Sequence, residues 1–282
     1  MNIKYIKSKN FGDGVNKRFW RIITGSDVYF DSKTEHYITT GSIMCLVETK
    51  SIIFGTGFIS KDGDLGGNQF KSKENKKYTN PLKVIAVRGP LSREKLQQFN
   101  IECPENYGDP LILMPCIYNV RKIVKEEIVG IIPHYIDKNN KNLKQLKINL
   151  KKKGYNVKEI DIQVGDNYKK LIDEINECKY IISSSLHGII MGVVYEKISI
   201  FVEFSDNVIG KEFKFQDFFK SIKINYEKQN IYNEKLIENK INVNQTELLK
   251  TGLNLINLMS FISNERKEKL KNKYKEFYYK LL

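Results

Sequence analysis

The sequence predicts an α/β protein built from two parallel, doubly wound sheets and closed by C-terminal helices. Three observations predict it. Short apolar runs of four to eight residues, rich in Ile, Val and Tyr, alternate with segments of helical spacing. All six prolines fall between Pro81 and Pro133, dividing the chain into a proline-free front, a punctuated middle and a proline-free back. After Pro110 the strand-helix alternation begins afresh with short connections, the pattern of a second parallel sheet. These place one domain at residues 1–122, a second at 123–245 and a helical region at 246–282.

In the front half, strands are expected at Ile3 to Ile6, Tyr37 to Met44, Ile52 to Phe54 and Val84 to Val87, with helices at Asn16 to Ile23 and Leu91 to Phe99. In the back half, Ile128 to Ile132 reads as a buried strand, followed by a lysine-rich helix at Asn142 to Lys153. Then come a strand at Val157 to Ile162, a helix at Tyr168 to Cys178, a strand at Tyr180 to Ser183, a helix at His187 to Tyr195 and a strand at Ser199 to Glu203. The tail Glu265 to Leu282 is amphipathic, with Tyr274, Phe277, Tyr278 and Leu281 beside lysines. Docking of this aromatic face on the fold is the main expectation, and peripheral contact with an anionic bilayer the minor one.

Composition narrows the function. The chain has 282 residues and a formal net charge of +14, with Lys+Arg 47 against Asp+Glu 33. Only six of those cations are arginine, the side chain suited to bidentate recognition of phosphate and bases, and the 41 lysines are spread along the chain. A solvated lysine surface is expected rather than a nucleic-acid site. No run is long and apolar enough to span a membrane, and MNIKYIKSKNF lacks the apolar core of a signal peptide, so a cytoplasmic location is expected, with the inner face of the membrane as the possible place of work. Cys45, Cys103, Cys116 and Cys178 form no CxxC pair, which predicts reduced thiols and no zinc site.

In an open parallel sheet, ligands collect outside the carboxyl ends of the strands. Five loops there carry unusual polar residues. Ser183-Ser184-Ser185-Leu186-His187-Gly188 offers hydroxyls and free amides to an anion at a helix N-terminus, with His187 as proton donor or anion partner. The competing reading is a serine cap with a packed histidine. His134 ends a strand in the same way, whereas His36 lacks such context and is expected at the surface. Arg88, after Val84 to Val87 and before a Gly-Pro turn, suits capture of a carboxylate or phosphate, the alternative being a structural ion pair. Asn10 to Asp13 places a carboxylate, Asp13, where a general base would stand, though the loop reads equally as an Asx turn. Gly55 and Gly57 permit close backbone approach, without the full dinucleotide fingerprint. Asp62-Gly63-Asp64 matches the metal-holding DxD pattern of sugar transferases, but its glycine-rich setting reads as a surface turn. No metal and no cofactor are expected.

Taken in order, NFGDxxN (Asn10, Gly12, Asp13, Asn16), GTG (Gly55 to Gly57), VRGPLS (Val87 to Ser92), YGDP (Tyr107 to Pro110), IPHYID (Ile132 to Asp137) and SSSLHG (Ser183 to Gly188) resemble the polysaccharide pyruvyl transferase family over roughly residues 1–222. The resemblance implies two Rossmann-like domains facing a cleft, as in the glycosyltransferase B architecture, with a C-terminal helix crossing back to the first. It implies transfer of the enolpyruvyl unit of phosphoenolpyruvate onto two hydroxyls of a glycan or lipid-linked sugar acceptor in capsule or exopolysaccharide assembly. On this basis His187 and Asp13 are the catalytic candidates, and Asn10, Gly57, Arg88, Asp109, His134, Ser183, Ser184 and Ser185 the substrate-binding ones. One departure stands out: family members commonly read SxRLHG, with arginine where this chain has Ser185. Either a lysine of the second domain supplies that charge, or the donor differs. The alternative is metal-independent transfer from a nucleotide sugar on the same scaffold.

Overall fold

The computed structural model describes residues 1–61, 79–120 and 126–279. The first half runs β1 (Asn2–Lys4), α1 (Phe11–Gly14), α2 (Asn16–Thr24), β2 (Tyr29–Phe30), β3 (His36–Ile38), β4 (Ser51–Phe54), β5 (Lys83–Ala86) and α3 (Pro90–Gln98), then a 3-10 segment, Pro110–Cys116. The second runs β6 (Ile128–Ile132), α4 (Lys141–Lys152), β7 (Asn156–Glu159), α5 (Tyr168–Asn176), β8 (Tyr180–Ser183), α6 (Leu186–Val194), β9 (Ile198–Phe201) and α7 (Phe213–Ser221), before α8 (Gln245–Leu258) and α9 (Asn264–Tyr279).

All strand pairs in both sheets are parallel, in the orders β2-β1-β3-β4-β5 and β7-β6-β8-β9. The α/β expectation is met. In each sheet the winding reverses once, between β1 and β3 and between β6 and β8, and such reversal points leave a crevice at the carboxyl ends of the strands. Strands β6 and β8 read as near-continuous apolar runs because helices cover both faces. Gly130 is required in β6, since a Cβ there would lie 2.8 Å from the Cys178 sulfur.

Local chemistry sets the helix ends. Gly25 terminates α2 in the left-handed region at φ +72°, Pro90 opens α3, and the Asn140 and Asn244 side chains accept amide hydrogens at the starts of α4 and α8. The strand expected from Tyr37 to Met44 stops at Ile38. Thr39 turns away to accept the Trp20 indole N–H at 2.8 Å, and Gly41 follows at φ +112°. The strand expected to reach Ile162 stops at Glu159, and its continuation crosses to the first sheet: the Phe11 amide donates to the Ile162 carbonyl at 3.0 Å, and the Gly165 amide to Lys9 at 2.7 Å.

The largest apolar cluster joins both sheets. It includes Ile3, Trp20 and Phe54 from the first, Leu111 to Met114 of the 3-10 segment, and Met191 and Phe201 from the second. The C-terminal helices complete it, with Leu270, Tyr274, Phe277 and Tyr278 of α9 buried. Phe261 stacks edge-on against Trp20, Tyr37 and Phe54, and the Arg266 guanidinium donates to the Ile22 and Ile23 carbonyls at the end of α2. The aromatic face of the tail therefore packs inward and is not open to a bilayer; Leu281 lies outside the described residues. Among the described residues no helix is long and apolar enough to cross a membrane.

Two sequence expectations meet different outcomes. Cys103, Cys116 and Cys178 are buried free thiols, the first two pushed up to about 12 by burial. His36, expected at the surface, is fully buried: its ring nitrogens meet the Thr34 carbonyl at 2.8 Å and the Ser51 hydroxyl at 2.9 Å across β3 and β4. Asp62-Gly63-Asp64 lies outside the described residues.

Candidate active site

The loops leaving β1, β6 and β8 meet at the two points of reversed winding. The first is the single turn α1. The Asn16 side-chain amide, itself buried, donates to the Gly12 carbonyl at 3.0 Å and the Asp13 carbonyl at 3.1 Å, holding the turn rigid. Within it the Asn10 amide donates to Asp13 Oδ2 at 2.9 Å. Burial pushes the Asp13 carboxyl above its ordinary value, opposed by the Asn10 hydrogen bond and the charges of His187 and Lys214.

Gly12 carries the contact between the sheets. A Cβ at this position would stand 1.9 Å from His187 Nδ1, so only glycine admits the imidazole. The other ring nitrogen, Nε2, lies 3.5 Å from Asp109 Oδ2. Asp109 is fully buried, and its Oδ1 accepts the Leu111 amide at 3.0 Å to start the 3-10 segment. Among the described residues neither His187 Nε2 nor Asp109 Oδ2 has a hydrogen-bond partner, so each is the other's neighbour in a buried polar gap. His187 is 6% exposed, at the first turn of α6.

The serines before that turn divide their work. The Ser183 hydroxyl is within donating distance of the Ile132 carbonyl at 2.7 Å and accepts the Ser185 amide at 3.0 Å, so it serves the turn itself. Ser184 Oγ accepts the His134 amide at 2.8 Å and lies 3.4 Å from Asp137, whose other oxygen accepts from the Ser205 hydroxyl. Ser185 stands at the N-cap of α6 with no side-chain cap bond among the described residues, before a first turn whose amides have no partner within a helix. His134 is held neutral, pushed down to about 4 by burial and by the positive charge of Lys214.

Lys214 is the residue that the sequence did not disclose. It sits on α7, 6% exposed, with its Nζ donating to the Ile209 carbonyl at 3.2 Å. Burial, then Arg88, lowers its amine to about 8, while Glu203 and Asp13 favour the charged form. Its charge is felt by Asp13 from the first sheet and His134 from the second, which sets it among the candidate residues.

Arg88 and Gly57 are corrected from direct substrate contact to interior roles. The Arg88 guanidinium is fully buried, donating from Nε to Asp217 Oδ2 at 3.0 Å, from Nη1 to Ser42 Oγ at 2.6 Å and from Nη2 to the Phe58 carbonyl at 2.5 Å. Asp217 also accepts the Ser92 amide at 2.9 Å and hydroxyl at 2.6 Å, so one carboxylate neutralises Arg88 and caps α3. A carboxylate at the start of α3 also suits the positive end of the helix dipole, so the structural ion pair is the arrangement found. The space left by the missing Cβ of Gly57 is filled by Arg88, whose Cζ would lie 2.6 Å away, and not by a ligand.

The sequence model of the polysaccharide pyruvyl transferase family matches residues 4–207, well over half of the chain. The chain belongs to this family. Among curated proteins it is 30% identical over 197 residues to the uncharacterized protein L143 of Acanthamoeba polyphaga mimivirus, covering 66% of this chain and 61% of the viral protein. The chain thus spans less than two thirds of that relative's length. No solved structure matches it. The family match takes in Asp13, Asp109, His134 and His187, and ends just before α7.

Proposed function

We propose that the protein transfers the pyruvyl unit of phosphoenolpyruvate onto two hydroxyls of a surface-glycan precursor, forming a cyclic ketal. The observation that carries this reading is the seating of His187 against Gly12 and beside Asp109, with Asp13 on the same turn as Gly12 and a buried amine, Lys214, whose charge acts on Asp13. Residues 1–122 and 123–245 are then two domains whose strand ends face one another, with 246–282 as a strap across them.

The reaction needs an acid, a base and a place for two anionic groups. A proton added to the methylene carbon of phosphoenolpyruvate makes the neighbouring carbon oxocarbenium-like. One sugar hydroxyl attacks that carbon and gives up its proton, the carbon–oxygen bond to phosphate breaks, and the second hydroxyl closes the ring, its proton leaving with the phosphate. His187, oriented by Asp109, is the acid. Asp13, whose carboxylate is made more basic by burial, takes the proton from the attacking hydroxyl. The Ser185 hydroxyl and the first turn of α6 receive the phosphate. Lys214 supplies the cation that Ser185 does not, and Arg88 acts through Asp217 to hold α7, and with it Lys214, in position.

We assign the reaction to the cytoplasm, where phosphoenolpyruvate is made. The test is a melting curve of the purified protein with phosphoenolpyruvate or with nucleotide sugars, followed by phosphate release in the presence of glycan acceptors. Phosphoenolpyruvate is expected to raise the melting temperature, and Lys214→Met to abolish the rise. Stabilisation by a nucleotide sugar and not by phosphoenolpyruvate overturns the reading in favour of glycosyl transfer.

A further inference from the structure

On the far side of α1 from His187 lies a groove of about 1010 Å³, lined by Tyr5, Lys7, Lys17, Arg18, Arg21 and Asp166 among others, with Gly14 of α1 in its wall. Its cations differ in kind from the general lysine surface. Arginine is the side chain whose planar fork matches phosphate, and the described arginines divide sharply. Arg88 is sealed in the interior. Arg93 donates to the Cys103 carbonyl at 3.0 Å and pairs with Glu105 at 3.3 Å, and Arg266 caps α2. Arg18 and Arg21 remain, with side chains 49% and 69% exposed, one turn apart on α2 and both in this groove.

Their carboxylate neighbours hold them loosely. Asp166 stands 3.6 Å from Arg18 and Asp27 3.5 Å from Arg21, exposed pairs that contribute little and yield readily to a stronger anion. An aromatic face adjoins the cations. Tyr5 packs edge-on against the half-exposed Phe30 at 5.6 Å, and the Lys7 ammonium lies 4.7 Å from the Phe30 ring centre. Arginine forks in one groove with the part-exposed Tyr5 ring suit a ligand that is part phosphate and part pyranose, since a ring packs against sugar C–H faces while the forks take the phosphate oxygens.

We propose that this groove binds the phosphate-bearing portion of the glycan acceptor, with α1 as the wall shared between the acceptor groove and Asp13. The identity of the ligand as an acceptor rests on the pyruvyl-transfer reading; the binding of a sugar phosphate there does not. The experiment titrates inorganic pyrophosphate and glucose 1-phosphate calorimetrically into the full chain, into Arg18→Ala/Arg21→Ala, and into Lys144→Ala/Lys151→Ala on the exposed face of α4 as a charge-matched control. The arginine variant is expected to lose at least tenfold in affinity while the control and the phosphoenolpyruvate-induced melting shift stay unchanged. A preference for pyrophosphate identifies a diphosphate-linked glycan, and equal binding a glycan held through a single phosphate, both in support. Equal affinity in all three proteins overturns the proposal. So does binding of single-stranded RNA or phosphatidylglycerol vesicles through Arg18 and Arg21 without binding of either phosphate. If phosphoenolpyruvate produces no shift but the arginine variant still loses pyrophosphate, the donor reading fails and the groove assignment stands.

Discussion

Gly12→Ala isolates the contact on which the site depends. The added Cβ would stand 1.9 Å from His187 Nδ1, 2.1 Å from Cε1 and 2.5 Å from Cγ. Non-bonded heavy atoms rest about 3.5–4 Å apart, so the ring must retreat by roughly 1.5–2 Å. The backbone of α1 gives no other reason for harm, because Gly12 is not in the left-handed region. The ring is 6% exposed and has little room to move, so overpacking costs about 1–3 kcal/mol. For a chain of this size that lowers the melting temperature by about 2–4 °C per kcal/mol. Displacement of this order parts His187 from Asp109, and a misplacement of about 1 Å can reduce turnover about 100-fold. The assay pairs thermal unfolding with phosphate release from phosphoenolpyruvate, in Gly12→Ala, His187→Ala and the double variant. Removing the ring makes room for the methyl group, so the double variant should be as stable as His187→Ala, a coupling of about 1–3 kcal/mol. Gly12→Ala with normal melting and turnover, or strict additivity, refutes the seating of His187 on Gly12.

Asp217→Ala strands the Arg88 guanidinium in the interior and is expected to cost about 3–5 kcal/mol in urea unfolding, with much of it recovered in Arg88→Met/Asp217→Leu; a loss below about 1 kcal/mol contradicts the pair as the anchor of α7. The Lys214 amine, lowered to about 8, loses its proton as pH rises through that value, so phosphoenolpyruvate affinity is expected to fall between about pH 7 and 9, and Lys214→Arg to flatten the fall. The same group binds fewer protons in the fold than in the unfolded chain from about pH 8 to its ordinary 10.5, so its effect on stability rises over that window as its affinity for anions declines.

Much of the fold was legible because a parallel sheet writes itself locally. Ile128 to Ile132 and Tyr180 to Ser183 are read to the residue, since strands covered on both faces are continuous apolar runs between turns. The meeting of the strand-end loops was legible too, as Asp13, His134 and His187 each follow a strand. Errors came where a partner lay far along the chain. Arg88 and Asp217 are 129 residues apart, and no spacing rule connects them. Lys214 is one of 41 lysines with no local signature, and only the burial of α7 distinguishes it. His36 looked superficial because its partner, Ser51, is supplied by a neighbouring strand. Gly57 carried a true signal of close approach, and the approaching group proved to be the protein's own arginine.

The long reach of the contacts made by Phe261 and Arg266 has a consequence for the order of folding. Arg266 donates to carbonyls 243 and 244 residues earlier, and Phe261 fills a gap among Trp20, Tyr37 and Phe54. The first sheet is translated before them, yet its apolar face and the end of α2 stay uncovered until the segment that carries Phe261 and Arg266 is made. Contacts of such separation are slow to form, and surface awaiting them is exposed meanwhile. Completion of the amino-terminal core therefore follows synthesis of α9, which ties assembly of the crevice at the strand ends to a helix whose Arg266 lies 243 residues beyond Ile23.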